Sequence, residues 1–280
     1  DIKVIVTDNS LKWLKFTEYM SKSGSVENGF RYYKSFMERD GEIFQIVKTA
    51  HASKYGDLQR SSFQMNNTLL TLDREKLKSI AKTSIDYCNA LKQDDEAFLN
   101  YLRITGSAYY SINNVLIDLY NWNDQFRYTQ YFKKKRREII SKLKRERLQL
   151  GKLFQNGDNL TICGNPIALL KKVTGQDFIN EGCFETYDDR IQCYTRRFAE
   201  GDRIAGFRNP HNSPNNIVYL ENVYPKELVK YFPDLGREII VINGIGTDVQ
   251  DRLNSQDLDS DTLYATNQPD IAELARKAYV

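Results

Sequence analysis

The chain has 280 residues, 12% of them aromatic, with 40 Lys/Arg against 37 Asp/Glu and a formal net charge of +3. That length supports one large or two modest domains with real cores, and no apolar run reaches the roughly 20 residues of a membrane-spanning helix. The four cysteines (Cys88, Cys163, Cys183, Cys193) form no C-x-x-C pair and only two histidines accompany them, which argues against a structural zinc site or a disulfide framework and points to a reducing cytoplasm.

In chain order, Ile2–Val6 reads as a β-branched strand. Asp8-Asn9-Ser10 is a turn or helix start, and Gly24, Asn28 and Gly29 mark a loop. Glu42–Lys48 reads as a second strand with a polar exit through Lys48, His51, Lys54 and Gly56. His51 has no nearby Cys and no visible orienting partner, so a protease or esterase triad is not indicated. Thr71 or Asp73 caps a helix running to about Lys92, with Leu77, Ile80, Ala81, Ile85, Cys88 and Leu91 at helical spacing. Helices follow over 94–103 and 107–122. Phe126–Arg137 then interleaves aromatics with cations, and the basic helix continues to Arg147 with Ile139, Ile140, Leu143 and Leu148 inward.

Gly151–Asp158, with Gly151, Asn156 and Gly157, reads as a linker or a domain junction, and beyond it the texture changes to short strands and turns. Asn159–Cys163 is a strand. Asn165 caps a helix with Pro166 in its first turn, and Gly175 stops it. Arg190–Phe198 alternates like a strand, Ala199–Asp202 turns, and Arg203–Phe207 returns as a hairpin. Asn216–Leu220 is a strand and Pro225–Phe232 a short helix. Ile239–Ile242 is a continuous apolar run suited to a strand buried on both faces. The strand Thr262–Thr266 follows, then a helix from Pro269 with Asp270 and Glu273 as a capping box. Gly244-Ile245-Gly246 lacks the rest of a dinucleotide fingerprint. The chain opens at Asp1 rather than Met, shows no signal peptide, and stops at Val280 inside an expected helix, so it reads as part of a longer protein.

Charge is unevenly placed. Phe126–Arg147 holds ten Lys/Arg against two Glu, so +8, while Asp248–Asp261 holds five Asp and one Arg, so −4. A basic block beside an acidic cluster suits a polyanion held near a metal. Lys133, Lys134, Lys135, Arg136 and Arg137 are the candidate nucleic-acid contacts, because cations neutralise phosphates and neighbouring aromatics stack bases; the alternative is a solvated amphipathic helix. Asp257, Asp259 and Asp261 alternate in an extended or tightly looped stretch, which can aim three carboxylates at one point. Three close anions repel, and a hard divalent cation such as Mg²⁺ resolves the repulsion through oxygen ligands shared with phosphates. The alternative is a solvated acidic turn. A helix-loop-helix calcium site does not fit: its twelfth position is Gln268 rather than Glu and its sixth is Thr262 rather than Gly.

Arg208-Asn209-Pro210, followed by Pro214, Ile217, Leu220 and Val223 and then by Asp257-x-Asp259-x-Asp261 entering a strand, resembles the catalytic double-psi β-barrel of the two-barrel RNA polymerases. The likeness is greatest to the single-chain RNA-silencing RNA-dependent RNA polymerases and their phage and mobile-element relatives. In that family the loop is D-x-D-G-D, and Ser260 here replaces the glycine. Ser61–Asn67 followed by Leu69-Leu70 resembles the segment joining the two barrels, which would make 42–56 the end of a first barrel. That barrel carries active-site lysines in the family, and Lys48 and Lys54 are the candidates.

The resemblance implies an α+β fold. Residues 1–70 would form a mixed β-rich segment, 71–150 a mainly helical region, and 151–280 a double-psi β-barrel-like catalytic domain. It also implies Mg²⁺-dependent (or Mn²⁺-dependent) two-metal nucleotidyl transfer on a DNA or RNA template. The aspartates would hold the metals, Arg208 and Asn209 would contact the nucleoside triphosphate, and the remainder of a longer chain or a partner subunit would complete the enzyme. The rival readings are a metal-dependent nuclease or phosphoesterase using the same aspartates, and a non-catalytic nucleic-acid-binding barrel.

Overall fold

The computed structural model describes residues 24–41, 51–69, 71, 73–107, 111–180, 182–258 and 260–279. The expected strands at 2–6 and 42–48, with Lys48, lie outside the described residues, as does Asp259. The first described helix, α1 (Val26–Asp40), runs through Asn28 and Gly29, where the sequence suggests a loop. Ser25 accepts from Asn28 N at 3.2 Å and caps its start, and Gly41 at φ 81° ends it.

After the short strand β1 (Leu58–Arg60) and helix α2 (Phe63–Thr68) come four helices: α3 (Arg74–Gln93), α4 (Asp95–Thr105), α5 (Ile112–Trp122) and α6 (Gln130–Glu146). The Asp73 cap is one the sequence offers, whereas Asp94, expected as the first residue of its helix, is that helix's cap. Asp73 accepts from Glu75 N at 2.9 Å and Asp94 from Glu96 N at 2.9 Å. Their inward stripes meet in two cores, one of Cys88, Leu91, Tyr101, Ile140, Leu143 and Phe154, the other of Phe98, Leu99, Leu102, Leu116 and Phe132.

Strand β2 spans Phe154–Cys163, so it takes in most of the stretch the sequence suggests as a linker. Several of its polar groups find distant partners. Phe154 N donates to Ser84 Oγ at 2.8 Å, Gln155 Nε2 to Ile80 O at 2.7 Å, and Asp158 accepts from Ser53 N at 3.1 Å. Gly157 is needed because a Cβ there would lie 2.4 Å from Ala265 O.

The remaining elements are α7 (Pro166–Val173), β3 (Ile191–Tyr194), β4 (Arg203–Phe207), β5 (Ile217–Asn222), α8 (Lys226–Tyr231), β6 (Ile239–Ile242), α9 (Val249–Arg252), β7 (Thr262–Thr266) and α10 (Pro269–Tyr279). Six strands close into a barrel in the order β2-β6-β3-β5-β4-β7, with β7 returning to β2. The β2–β6 and β3–β5 pairs are parallel and the others antiparallel. Closure removes the open edges a six-stranded sheet would otherwise present. The expected hairpin of β3 and β4 does not form, because β5 lies between them. The side chain of Asn222, wholly buried at the end of β5, replaces the hairpin bonds. It accepts from Thr195 N at 2.9 Å and donates to Phe198 O at 2.9 Å.

The apolar run of β6 is buried on both faces. Ile240 and Ile242 join the main barrel core with Leu160, Leu220 and Leu263, while Val241 packs with Ile167, Tyr194 and Leu228 under α7 and α8. Helix α10 covers β4 and β5. Its N-terminus is capped by Gln268, whose Oε1 accepts from Ile271 N at 2.7 Å, rather than by a box of Asp270 and Glu273. Glu273 is engaged elsewhere, with Lys76 Nζ at 2.6 Å and Lys277 Nζ at 2.9 Å. Among the described residues no helix is long and apolar enough to cross a membrane.

Candidate active site

The loop between α9 and β7 carries the aspartates, and its backbone is bent by three non-glycine residues with positive φ: Asn254 at 54°, Ser255 at 55° and Ser260 at 89°. Asn enters this region readily and Ser less so. Ser260 therefore adopts the conformation for which a glycine would be the easier residue, and the tight turn into β7 is kept.

Asp261 is the pivot. Its backbone carbonyl accepts from Ile162 N at 2.9 Å, extending the pairing of β7 with β2. Its carboxylate Oδ2 takes Asp257 N at 3.1 Å and Arg208 Nη2 at 2.8 Å. Arg208 leaves the end of β4, and its Nη1 donates to Leu253 O at 2.8 Å and Asn254 O at 3.0 Å. One guanidinium thus ties the β4 exit, the α9 exit and the entry to β7 together. With side-chain exposures of 18% and 22%, Arg208 and Asp261 are partly dehydrated yet reachable from solvent. Asn216 braces the same loop, donating to Arg252 O at 3.1 Å and Asn254 Oδ1 at 2.9 Å. His211 is buried against the Phe207 ring at 5.5 Å, and burial pushes its pKa below the ordinary histidine value.

Leu258 turns toward Gly164, where an added Cβ would lie 3.0 Å from Leu258 Cδ1. It also lines an apolar cavity of about 300 Å³ shared with Ile162, Leu169, Phe178 and Ile242. Asn209 is exposed next to Arg208. Asp257 and Asp261 are brought together on the loop with Arg208. Asp261 offers a partly exposed carboxylate, held by Arg208 and by Asp257 N, and aspartate oxygens are a donor chemistry that fits Mg²⁺ or Mn²⁺. Asn216, Asn254, Ser255 and the Leu253 carbonyl were not singled out from sequence. The only local signal is the left-handed preference of Asn254.

Lys54 lies elsewhere. Its neighbour Ser53 bonds to Asp158, which pairs with Ala265 near the end of β7, whereas the aspartates precede the start of β7 at Thr262, opposite Thr161. At about 3.3 Å per strand residue, that is on the order of 10 Å along the barrel wall. Lys54 Nζ instead sits 5.5 Å from the Tyr55 ring centroid.

The basic block also divides. Arg136 is a structural tie: Nε donates to Leu91 O at 2.6 Å, Nη1 pairs with Asp95 Oδ1 at 2.6 Å, and Nη2 donates to Asp94 O at 2.7 Å. Its side chain is 14% exposed and rests on Phe98. Lys135 pairs with Glu138 at 2.8 Å. Lys133, Lys134 and Arg137 stand exposed on the outer face of α6.

The closed ring of six strands, preceded by a helical region, matches a double-psi β-barrel fold seen in an RNA polymerase. In particular, the fold is similar to that of the RNA dependent RNA polymerase QDE-1 from Thielavia terrestris, with a TM-score of 0.51 and 15% sequence identity. The similarity covers 82% of this chain and 26% of that polymerase, so the chain spans about a quarter of its length. No protein family and no curated protein matches the sequence.

Proposed function

We propose that the chain carries the catalytic barrel of an RNA polymerase-type nucleotidyltransferase, joining nucleoside triphosphates on a DNA or RNA template. The observation that carries this reading is the Arg208–Asp261 ion pair, with Asp257 N on the same carboxylate, at the entry to a closing barrel strand. Asp257, Asp259 and Asp261 would hold Mg²⁺ or Mn²⁺. Bound there, the cation would supply Lewis-acid chemistry, lowering the pKa of a primer 3′-hydroxyl and neutralising charge on the transferred phosphoryl group.

The protein's own share is positional. Arg208 fixes the orientation of Asp261 and, beside Asn209, presents a cation and an amide at the rim where a nucleotide sugar would lie. The strained turn at Ser260 sets the direction from which Asp261 reaches the rim. Lys133, Lys134 and Arg137 supply exposed positive charge for template or product. A second barrel, from the remainder of a longer chain or from a partner subunit, would complete the enzyme, with Lys48 as its candidate contribution from this chain. The 280 residues alone are then expected to synthesise little.

Primer extension by the complete polypeptide, run beside a nuclease assay, tests this reading. Asp261→Asn and Asp257→Asn should each abolish extension while the chain stays folded. Strand cleavage that depends on these aspartates, without extension, would assign them to hydrolysis.

A further inference from the structure

A second cationic centre lies away from the aspartate loop. It is a cleft of about 370 Å³ whose lining includes Lys54 and Arg60 from the β1 segment, Tyr101 from α4, and Lys142, Glu146 and Arg147 from the end of α6. The cations arrive from separate parts of the sequence, so this is no mere charge run along one helix. They are also under-neutralised. Glu146 is the one carboxylate in the lining, and it reaches Lys142 only at 4.0 Å; no described carboxylate pairs with Lys54, Arg60 or Arg147. Two of the cations share one aromatic platform: Arg60 Cζ is 5.4 Å and Lys54 Nζ 5.5 Å from the Tyr55 ring centroid. Tyr55 itself is fixed against Phe154 at 5.0 Å, so the platform is rigid. Burial raises the pKa of Tyr101 while Arg60 and Arg147 pull it the other way, which places both guanidinium groups within electrostatic reach of its hydroxyl.

Bringing four like charges into one concavity costs free energy that an anion returns. The concave shape suits a phosphate with its sugar rather than a flat lipid surface, and an aromatic floor beside guanidinium groups is how proteins hold single-stranded nucleic acid without reading sequence. We infer that this cleft binds the sugar–phosphate backbone of a single-stranded nucleic acid, using Lys54, Arg60, Lys142 and Arg147. It is a contact distinct from the outer face of α6. On that helix, at about 100° per residue, Lys142 lies about 180° from Lys133 and about 140° from Arg137, though about 80° from Lys134, and Glu146 lies at least about 120° from all three. The inference does not rest on the polymerase reading, because it requires only phosphodiesters and none of the aspartates.

The test is fluorescence anisotropy of a labelled single-stranded 12-mer, as RNA and as DNA, titrated with the 280-residue chain at several salt concentrations. Arg60→Gln with Arg147→Gln should weaken binding at least tenfold at low salt and flatten the log–log salt slope by about 1.4, two contacts at about 0.7 each for single strands. The double Lys variant (Arg60→Lys with Arg147→Lys) should recover most of the salt slope. The Gln pair should also raise the melting temperature of the free chain, because repulsion is relieved; a merely structural pair of arginines would lower it. Asp257→Asn with Asp261→Asn should leave binding unchanged, which separates this cleft from the aspartate site. Unchanged affinity and slope in the Gln pair, a lowered melting temperature, or displacement of the 12-mer by inorganic tripolyphosphate at equal phosphate concentration would each overturn the inference.

Discussion

The two ends of strand β2 treat charge in opposite ways. At its C-terminal end, Thr161–Cys163 pair with β6 and Ile162 N bonds Asp261 O, beside an aspartate loop whose Asp261 is matched by Arg208 at 2.8 Å. At its N-terminal end, Phe154–Asn156 pair with β1, and the adjoining cleft gathers Lys54, Arg60 and Arg147 with no carboxylate partner among the described residues. Barrel closure fixes strand ends closely, so charges can be paired one to one at the loop. The cleft is assembled from a short strand and two helices, and its charge is left for something outside the chain. A fold that only needed stability would neutralise both ends.

The comparison breaks most visibly in the barrel wall. Gly157→Ala would press a methyl onto Ala265 O, 2.4 Å away, and force β2 from β7. It should cost about 3 kcal/mol in denaturant unfolding, and a loss under 1 kcal/mol would mean the wall is looser than described. Next in size, Arg136→Ala removes a partly buried guanidinium from two carbonyls and Asp95 and should cost about 2 kcal/mol. Lys133→Ala, three residues earlier on the exposed face of α6, should change stability by less than about 0.5 kcal/mol. Equal effects would erase the division of the basic helix into a structural part and an open part.

Ser260→Gly sharpens the account of the loop. Relief of a non-glycine φ of 89° should stabilise the chain by about 1 kcal/mol, offset in part by the greater freedom of glycine in the unfolded chain. Destabilisation would show that the Ser260 side chain is needed. The smallest effect is expected at Glu273, whose pKa is held down to about 2 by Lys277 first and Lys76 second. A carboxylate with a depressed folded value contributes stability above its ordinary value of 4.5, and that contribution is lost as pH falls toward about 2. Glu273→Gln should therefore take a small contribution off the neutral plateau of a stability–pH curve, flatten its acid limb in that window, and leave stability below about pH 2 unchanged.

Sequence reading went furthest where one element's residues decide its form. Thr262–Thr266 and Ile239–Ile242 are strands as their apolar patterns require, and Asp73 and Asn165 cap the helices they precede. It failed where distant partners decide. Asn156, Gly157 and Asp158 look like linker residues, yet Asn156 Oδ1 accepts from Arg197 at 2.8 Å, Gly157 admits Ala265 O, and Asp158 accepts from Ser53. The β3–β4 hairpin was misjudged for a related reason: a short turn suggests neighbours, whereas barrel closure inserts β5 between them. At the candidate site the aspartates and Arg208 were visible as a spaced set. The bracing by Asn216 was not, because its bonds to the 252–254 segment depend on tertiary placement alone. Arg136 was misjudged with its neighbours, since nothing in a run of cations marks the one that turns inward.

Mn²⁺ binding followed by electron paramagnetic resonance tests the proposed divalent-cation site on the loop ending in Asp261 without requiring synthesis. Titrated with the unmodified chain, the free Mn²⁺ signal should be suppressed at a defined stoichiometry, more strongly with a nucleoside triphosphate present. Asp257→Asn with Asp261→Asn should restore the free signal while circular dichroism shows the fold unchanged. A folded double variant that still binds Mn²⁺ as the unmodified chain does would contradict the account.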